Sequence, residues 1–171
     1  MEIQARTERL AVKVRYLIRR DLPEVLSIEN AVFEYPWTED DFLTMLRTRT
    51  CVGLVATVDA QIVGFVVYLL QRDALAIENL AVHPDWQRQG IGAALVQRLI
   101  DNKLVPDRRN SLTAPVRERN LDAQLFFRHL NFRAIGILHE HYSDSDTDED
   151  AYLFKFHRRG PGERGRPLKK G

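Results

Sequence analysis

The residues best suited by type and spacing to do chemistry are Gln87-Arg88-Gln89-Gly90-Ile91-Gly92-Ala93. Small residues let an anion approach the backbone closely and Arg88 adds positive charge. The segment therefore reads as a loop that offers amides to a pyrophosphate where a helix begins. Leu95, Val96, Leu99 and Ile100 follow at helical spacing. Before the loop, a strand ending in Asn79-Leu80-Ala81-Val82 leads through His83-Pro84-Asp85-Trp86. A lone G-x-G at a helix start is a weak signal, because glycine also serves turns and close packing. Context narrows it: no G-x-x-x-x-G-K-S/T run is present, and the loop follows successive strands rather than opening a strand-helix-strand unit. Both facts argue against a P-loop and a Rossmann dinucleotide site.

Holding that loop requires a sheet and its covering helices. Val14 to Arg19 reads as a first strand, and a helix then starts with Asp21 as N-cap and Pro23 and Glu24 in its first turn, running towards Phe33. Pro36 breaks it. Thr38-Glu39-Asp40-Asp41 opens a second helix through a capping box, with Phe42, Met45 and Leu46 as its apolar face. Cys51 to Val58 and Ile62 to Leu70 are rich in β-branched residues and flank the turn Asp59-Ala60-Gln61, which predicts a hairpin. Ala74 to Val82 extends it into an antiparallel meander. A helix from Ile91 to Lys103, a strand from Ser111 to Val116 and a helix from Leu121 to Leu130 burying Leu125, Phe126 and Leu130 come next. Phe132 to His139 and Ala151 to Phe156 close the sheet around the acidic loop Asp144 to Asp150.

A chain of 171 residues, 44% hydrophobic and 29% charged, fits one globular domain. Residues 1–12 lack periodicity, and the Gly-, Pro- and Arg-rich residues 158–171 have the composition of a basic disordered tail, which leaves 13–157 as the domain. Lys plus Arg (25) nearly balances Asp plus Glu (24), so the net charge gives no general attraction to nucleic acid or anionic membrane. Only non-specific contact by the basic tail is left for nucleic acid. The single Cys51 excludes an internal disulfide and a cysteine-cluster metal site and fits a reducing compartment. No histidine has metal-ligand company. No apolar run approaches the roughly 20 residues that span a bilayer, and the start lacks a signal-peptide stretch, so a soluble cytoplasmic protein without metal is expected.

The stretch IENLAVHPDWQRQGIGAALV resembles the coenzyme A-binding motif of the GNAT N-acetyltransferases. YPWTEDDF and VRERNLDAQLFFRHLNF are similar to segments of the ribosomal-protein-alanine N-acetyltransferase branch, known as RimI, and HYSDSDTDEDAYLF to its closing hairpin. The resemblance spans about residues 14 to 157. It implies the acyl-CoA N-acyltransferase fold: a mixed α/β (α+β) architecture whose mostly antiparallel sheet splays between strands four and five, with about four helices. It also implies acetyl-CoA as acetyl donor. Backbone groups of Leu80 and Val82 would pair with the pantetheine arm, amides of Gln87 to Gly92 and the neighbouring Ala93 would hold the pyrophosphate, and Asn120 and Phe127 would border the cofactor. Asn120 reads equally as the N-cap of the helix from Leu121. Free amides of Ala81 and Val82 at the splay would stabilise the thioester oxyanion.

An attacking amine must lose a proton. In the family pattern a glutamate base falls at Pro115, a tyrosine acid at Phe127 and, in other members, a strand-four base at Ala76, so all these roles are vacant here. Glu78 is the substitute base, since strand alternation puts it on the face of Ala76. An arginine-paired structural carboxylate is the competing reading. Tyr142 is the candidate acid, or a groove-lining aromatic. Glu34, Tyr35 and Trp37, in the connection that borders the acceptor in the family, are candidate substrate contacts, while Trp37 also fits a hydrophobic staple beside the Thr38 cap. The expected acceptor is a peptide or protein N-terminus, a ribosomal protein among the candidates. A small-molecule amine, or a catalytically weak coenzyme A-binding module, stays open as an alternative.

Overall fold

A computed structural model describes residues 10–104, 108–143 and 148–158. Residues 1–9, 105–107, 144–147 and 159–171 lie outside them, and with them most of the expected N-terminal extension, of the acidic loop and of the basic tail. The elements run β1 (Lys13–Tyr16), α1 (Leu22–Val32), α2 (Glu39–Arg47), β2 (Cys51–Val58), β3 (Gln61–Leu70), β4 (Ala74–Val82), α3 (Ile91–Asn102), β5 (Ser111–Arg117), α4 (Leu121–His129), β6 (Arg133–Tyr142) and β7 (Glu149–His157). The strands form a seven-stranded sheet in the order β1-β2-β3-β4-β5-β7-β6. β4 and β5 pair in parallel, whereas β1–β2, β5–β7 and β6–β7 pair antiparallel. This is the mixed α/β architecture with four α-helices that the sequence led us to expect. No described helix is long and apolar enough to cross a membrane. The chain divides into two compact units, Met1–Tyr68 with Asn79–Arg98 and Leu69–Glu78 with Leu99–Gly171. β4 contributes to both.

In the first unit, the β2–β3 link is two residues long, with Asp59 at φ 47 and Ala60 at φ 68. Two left-handed residues make the tight turn whose twist matches that of antiparallel neighbours. Leu54, Val55, Val63, Phe65, Val66 and Val67 are all buried, so both strands read as continuous apolar runs rather than alternating ones. Gly64 lets β3 approach its neighbours, since a Cβ there would meet the Ala81 carbonyl at 3.0 Å and Ile91 at 3.2 Å. Asp21 departs from expectation. It does not cap α1 with its side chain. Its carboxylate, at the end of a 3-10 turn over Arg19–Asp21, faces back to accept from the Ile18 amide (2.9 Å) and from both Arg15 nitrogens (2.7 and 2.9 Å). The Arg15 hydrogen bonds hold the Asp21 carboxyl below the usual carboxylate range.

α2 starts as expected: Thr38 Oγ1 accepts from the Asp41 amide, and Asp41 Oδ2 accepts from the Thr38 amide. Trp37 and Phe42, flanking that cap, meet edge to face at 5.2 Å, the staple geometry, and Phe42 meets Phe65 at 5.6 Å. On α1, Glu29 occupies a core position one heptad after Leu22 and is 1% exposed. Oε1 accepts from the Trp37 amide (2.8 Å) and Oε2 from Asn79 Nδ2 (3.0 Å). Desolvation raises the Glu29 pKa, and the Trp37 and Asn79 bonds oppose that rise.

In the second unit, β5 pairs with β7 along its length, from Ser111↔His157 to Arg117↔Ala151. The register of β6 against β7 shifts between Ala134 and Gly136 and between Leu138 and Tyr142. β6 extends to Tyr142 and takes in His139 and His141. On α4 the expected inward Leu125 is 53% exposed, and Phe127 is the buried residue. The inward stripe runs through Ala123, Gln124, Phe127 and Leu130, at intervals of three and four. Phe127 meets Phe126 at 5.1 Å, Phe132 at 5.0 Å and Phe154 at 6.2 Å.

Phe42 is fully buried between two aromatic rings. Phe42→Ala is expected to cost about 3–5 kcal/mol of stability, read by urea unfolding. Glu29→Gln is expected to raise Tm at pH 7, with each kcal/mol appearing as about 2–4 °C. The native state holds the Glu29 proton more tightly than the unfolded chain. Wild-type stability therefore declines as pH rises from the ordinary carboxylate range through the raised value, whereas glutamine keeps one acceptor and carries no charge. The advantage should vanish below the ordinary carboxylate range. A lower Tm for the variant at pH 7 would refute this view of Glu29.

Candidate active site

The sequence-predicted donor residues lie at the C-terminal end of β4 and the start of α3. A 3-10 turn over Pro84–Trp86 links them, with the Asp85 amide bonded to His83 Nδ1 and the Trp86 amide to the His83 carbonyl. Two glutamine side chains fasten the loop to itself: Gln87 Nε2 donates to the Val82 carbonyl (3.1 Å) and Gln89 Nε2 to the Asp85 carbonyl (3.2 Å). Arg88 at φ 60 and Gly90 at φ 83 adopt left-handed backbone on either side of Gln89. Such alternation turns successive N–H groups towards one concavity. The Ala94 amide reaches the Gly90 carbonyl at 2.9 Å and so closes the first bond of α3. Among the described residues no hydrogen bond engages the amides of Arg88 through Ala93. A Cβ built on Gly90 would meet nothing within 4 Å, so the space in front of the loop is open. Unpaired amides lie at the positive end of α3, beside open space at Gly90.

Along β4, the parallel partnership with β5 covers only Ala74↔Ser111, Leu75↔Leu112 and Ala76↔Thr113. Leu80, Ala81 and Val82 belong to the part of β4 beyond that pairing. Ala81 is 3% exposed, so its backbone rather than its side chain is what it can offer a ligand. The Val82 carbonyl is already taken by Gln87, and its second lone pair is what is left for a further donor. The predicted acceptor contacts sit in the first unit. Glu34 is exposed, Tyr35 is 42% exposed, and Trp37 is held by its amide on Glu29 and its ring on Phe42.

The second unit assembles the predicted proton-transfer groups. Glu78 presents an exposed side chain on β4, yet surrounding protein desolvates its carboxyl and raises its pKa, with His141 drawing it back down. Among the described residues no arginine pairs with Glu78. His141 meets the Tyr142 ring edge to face at 4.8 Å. The Tyr142 hydroxyl donates to the Pro115 carbonyl at 3.2 Å, and the Arg117 guanidinium lies 3.9 Å above the Tyr142 ring while binding Glu149 at 3.0 Å. A phenol thus rests against the residue that replaces the family's glutamate. Asn120 caps α4 by accepting from the Ala123 amide at 3.0 Å, and Phe127 is enclosed by aromatic neighbours.

Sequence reasoning missed His141, Arg117, Glu29 and Asn79. Glu29 carried a signal, a carboxylate at the inward interval of a helix whose other inward residues are Leu22, Val25 and Ile28. For His141 and Arg117 the signal was absent, because it lies in how β6 registers against β7.

Comparison with known proteins agrees with this geometry. The profile of the Acetyltransferase (GNAT) family matches residues 22–132. The chain is 32% identical over 133 residues to the ribosomal protein bS18-alanine N-acetyltransferase of Escherichia coli K12, covering 78% of this chain and 88% of that protein. It is 30% identical over 140 residues to the enzyme of the same name from Salmonella typhimurium, covering 82% and 93%. The crystal structure of the Escherichia coli ribosomal-protein-S18-alanine N-acetyltransferase superposes with a TM-score of 0.76 at 28% identity, covering 91% of this chain and 99% of that one. Arabidopsis thaliana NAA60, crystallised with acetyl-CoA, shares the fold at TM-score 0.72 and 19% identity, covering 85% and 99%. With a family match over more than half its length, the chain belongs to the acetyltransferase (GNAT) family and is an acyl-CoA-dependent N-acetyltransferase.

Proposed function

We propose that this protein transfers the acetyl group of acetyl-CoA to the N-terminal α-amine of a protein, by direct attack within a ternary complex formed on one domain, residues 13–157. The observation that carries the donor is the run of unengaged amides from Arg88 to Ala93, which fits a pyrophosphate. The acceptor class rests on the names of the relatives at 30–32% identity, and a ribosomal protein is the first candidate. A cytoplasmic location accords with that acceptor.

In the proposed reaction the amine lone pair forms a bond to the thioester carbon, the carbon–sulfur bond breaks, and coenzyme A leaves as a thiolate. Glu78 takes the proton from the amine, and Tyr142 supplies one to the thiolate. Glu78 lies two residues before Leu80 on the same strand, so chain geometry keeps it close to the pantetheine-binding backbone. Its raised pKa makes it a stronger base than an ordinary carboxylate. In this proposal a main-chain amide of the Ala81–Val82 stretch stabilises the developing oxyanion. Asn120 and Phe127 border the cofactor, and Glu34, Tyr35 and Trp37 wall the acceptor. Holding amine and thioester in line supplies much of the rate.

Incubation with acetyl-CoA and a panel of peptides and small amines, followed by mass spectrometry, tests the acceptor class. Acetylated peptide N-termini are expected. Product on small amines alone would replace the acceptor, and tight acetyl-CoA binding with no product on any amine would replace the enzyme by a binding module. Glu78→Gln should lower kcat/KM by about 10²-fold. Because Glu78 must be ionised to act, the wild-type rate climbs as pH rises through its raised pKa. The variant should lose that limb and retain only the amine's. An unchanged profile removes Glu78 from the mechanism. Gly90→Val places a β-branched side chain at φ 83. It should weaken acetyl-CoA binding about tenfold or more by calorimetry, and wild-type affinity would contradict the loop assignment.

A further inference from the structure

Two of the described carboxylates are buried, and only Asp21 has a cation beside it. Glu29 is enclosed with neutral donors alone, the Trp37 amide and the Asn79 side chain. An apolar residue at that position would pack against Val25 and Ile28 without the cost of burying a charge. What it would lose is two acceptor oxygens aimed at different elements. The Glu29 backbone carbonyl also accepts from the Phe33 amide at 3.0 Å. A single residue therefore closes both ends of the α1–α2 connection: its main chain holds Phe33 and its side chain holds Trp37. Glu34 and Tyr35 project from the loop so clasped. The second carboxylate oxygen binds Asn79, which sits between Glu78 and Leu80 on β4.

We infer that Glu29 is a positioning residue for the acceptor, fixing the Glu34–Trp37 segment to β4 through Asn79 and so setting which N-terminal residues fit. The inference rests on the reading of Glu34, Tyr35 and Trp37 as acceptor contacts. The clasp itself stands on hydrogen bonds alone.

The test compares wild type, Glu29→Ala and Glu29→Gln in amide hydrogen exchange at Trp37 and in KM for acceptor peptide and for acetyl-CoA. Glutamine keeps an oxygen for the Trp37 amide and can donate to Asn79 once that side-chain amide turns over. Glu29→Ala should lose Trp37 protection and raise the peptide KM about tenfold or more, while the acetyl-CoA KM moves by about twofold or less. It should also flatten preference among peptides that differ in their first residue. Glu29→Gln should restore protection and bring the peptide KM back to within about threefold of wild type. Equal changes in both KM values, or an unchanged peptide KM with protection lost, would overturn the proposal. If Glu29→Ala does not fold, Asn79→Ala cuts the β4 half alone and should show the same split in smaller measure. A wild type that acetylates only small amines would sink the peptide-acceptor reading and this inference with it, whereas exchange at Trp37 would still report whether the clasp exists.

Discussion

Parallel pairing of β4 with β5 stops after Ala76, and the proposed donor site depends on that early stop. A strand buried between two partners spends its amides and carbonyls on the ladder. One released from a partner part-way offers the remainder to a ligand without unfolding. β4 continues through Leu80, Ala81 and Val82, while β5 satisfies itself along its length against β7. The β5 pairing therefore ends before the stretch of β4 where family resemblance puts the pantetheine arm. Thr113 marks the limit, its hydroxyl donating to the Leu75 carbonyl at the last pairs of the parallel ladder.

The anion loop is the continuation of the same strand, and its shape depends on close packing behind it. Gly64 allows the Ala81 carbonyl and the Ile91 side chain to come as near as van der Waals contact permits, so the end of β4 and the first turn of α3 are both referred to β3. Gln87 and Gln89 then satisfy carbonyls inside the loop with their side chains, which leaves the main-chain amides from Arg88 onward uncommitted. Left-handed backbone at a non-glycine residue such as Arg88 costs about 1 kcal/mol or more. That strain goes with the turn of the loop that leaves its amides uncommitted.

How much of this could be read from residues alone depended on the range of the interaction. The glycine loop, the Thr38 capping box, the Trp37 staple and the Asp59–Ala60 turn are local, and residue order within a few positions specifies them. Asp21 stands at the expected N-cap position of α1, yet its side chain makes no cap bond, because a bidentate arginine outcompetes the weaker bond to a helix amide. Leu125 was misjudged because choosing the inward stripe of a short helix needs its starting phase, and α4 begins where Asn120 caps it. Glu29 and Asn79 are 50 residues apart. Nothing in either neighbourhood announces the other. On β6 the left-handed Glu140, at φ 52, coincides with a register shift. Alternation across it no longer tells which face His141 and Tyr142 share.

Three carboxylates show how one side-chain chemistry is divided by environment. Asp21 lies against a guanidinium, which holds its pKa down and makes it a fixed structural anion. Glu29 is enclosed with donors that carry no charge; its proton equilibrium is shifted upward by desolvation, yet water cannot reach it to exchange a proton quickly. Glu78 combines the two properties neither of the others has. Desolvation strengthens it as a base, its side chain is open to incoming solute, and His141 rather than a permanent cation faces it, so its charge is not locked in place. An arginine in that place would hold the carboxylate ionised and weaken it as a base. With proline at the position where the family carries its base, the proposed mechanism puts proton removal on the strand that it also assigns to the donor. On that proposal, acetyl delivery and amine activation depend on the same few residues of β4.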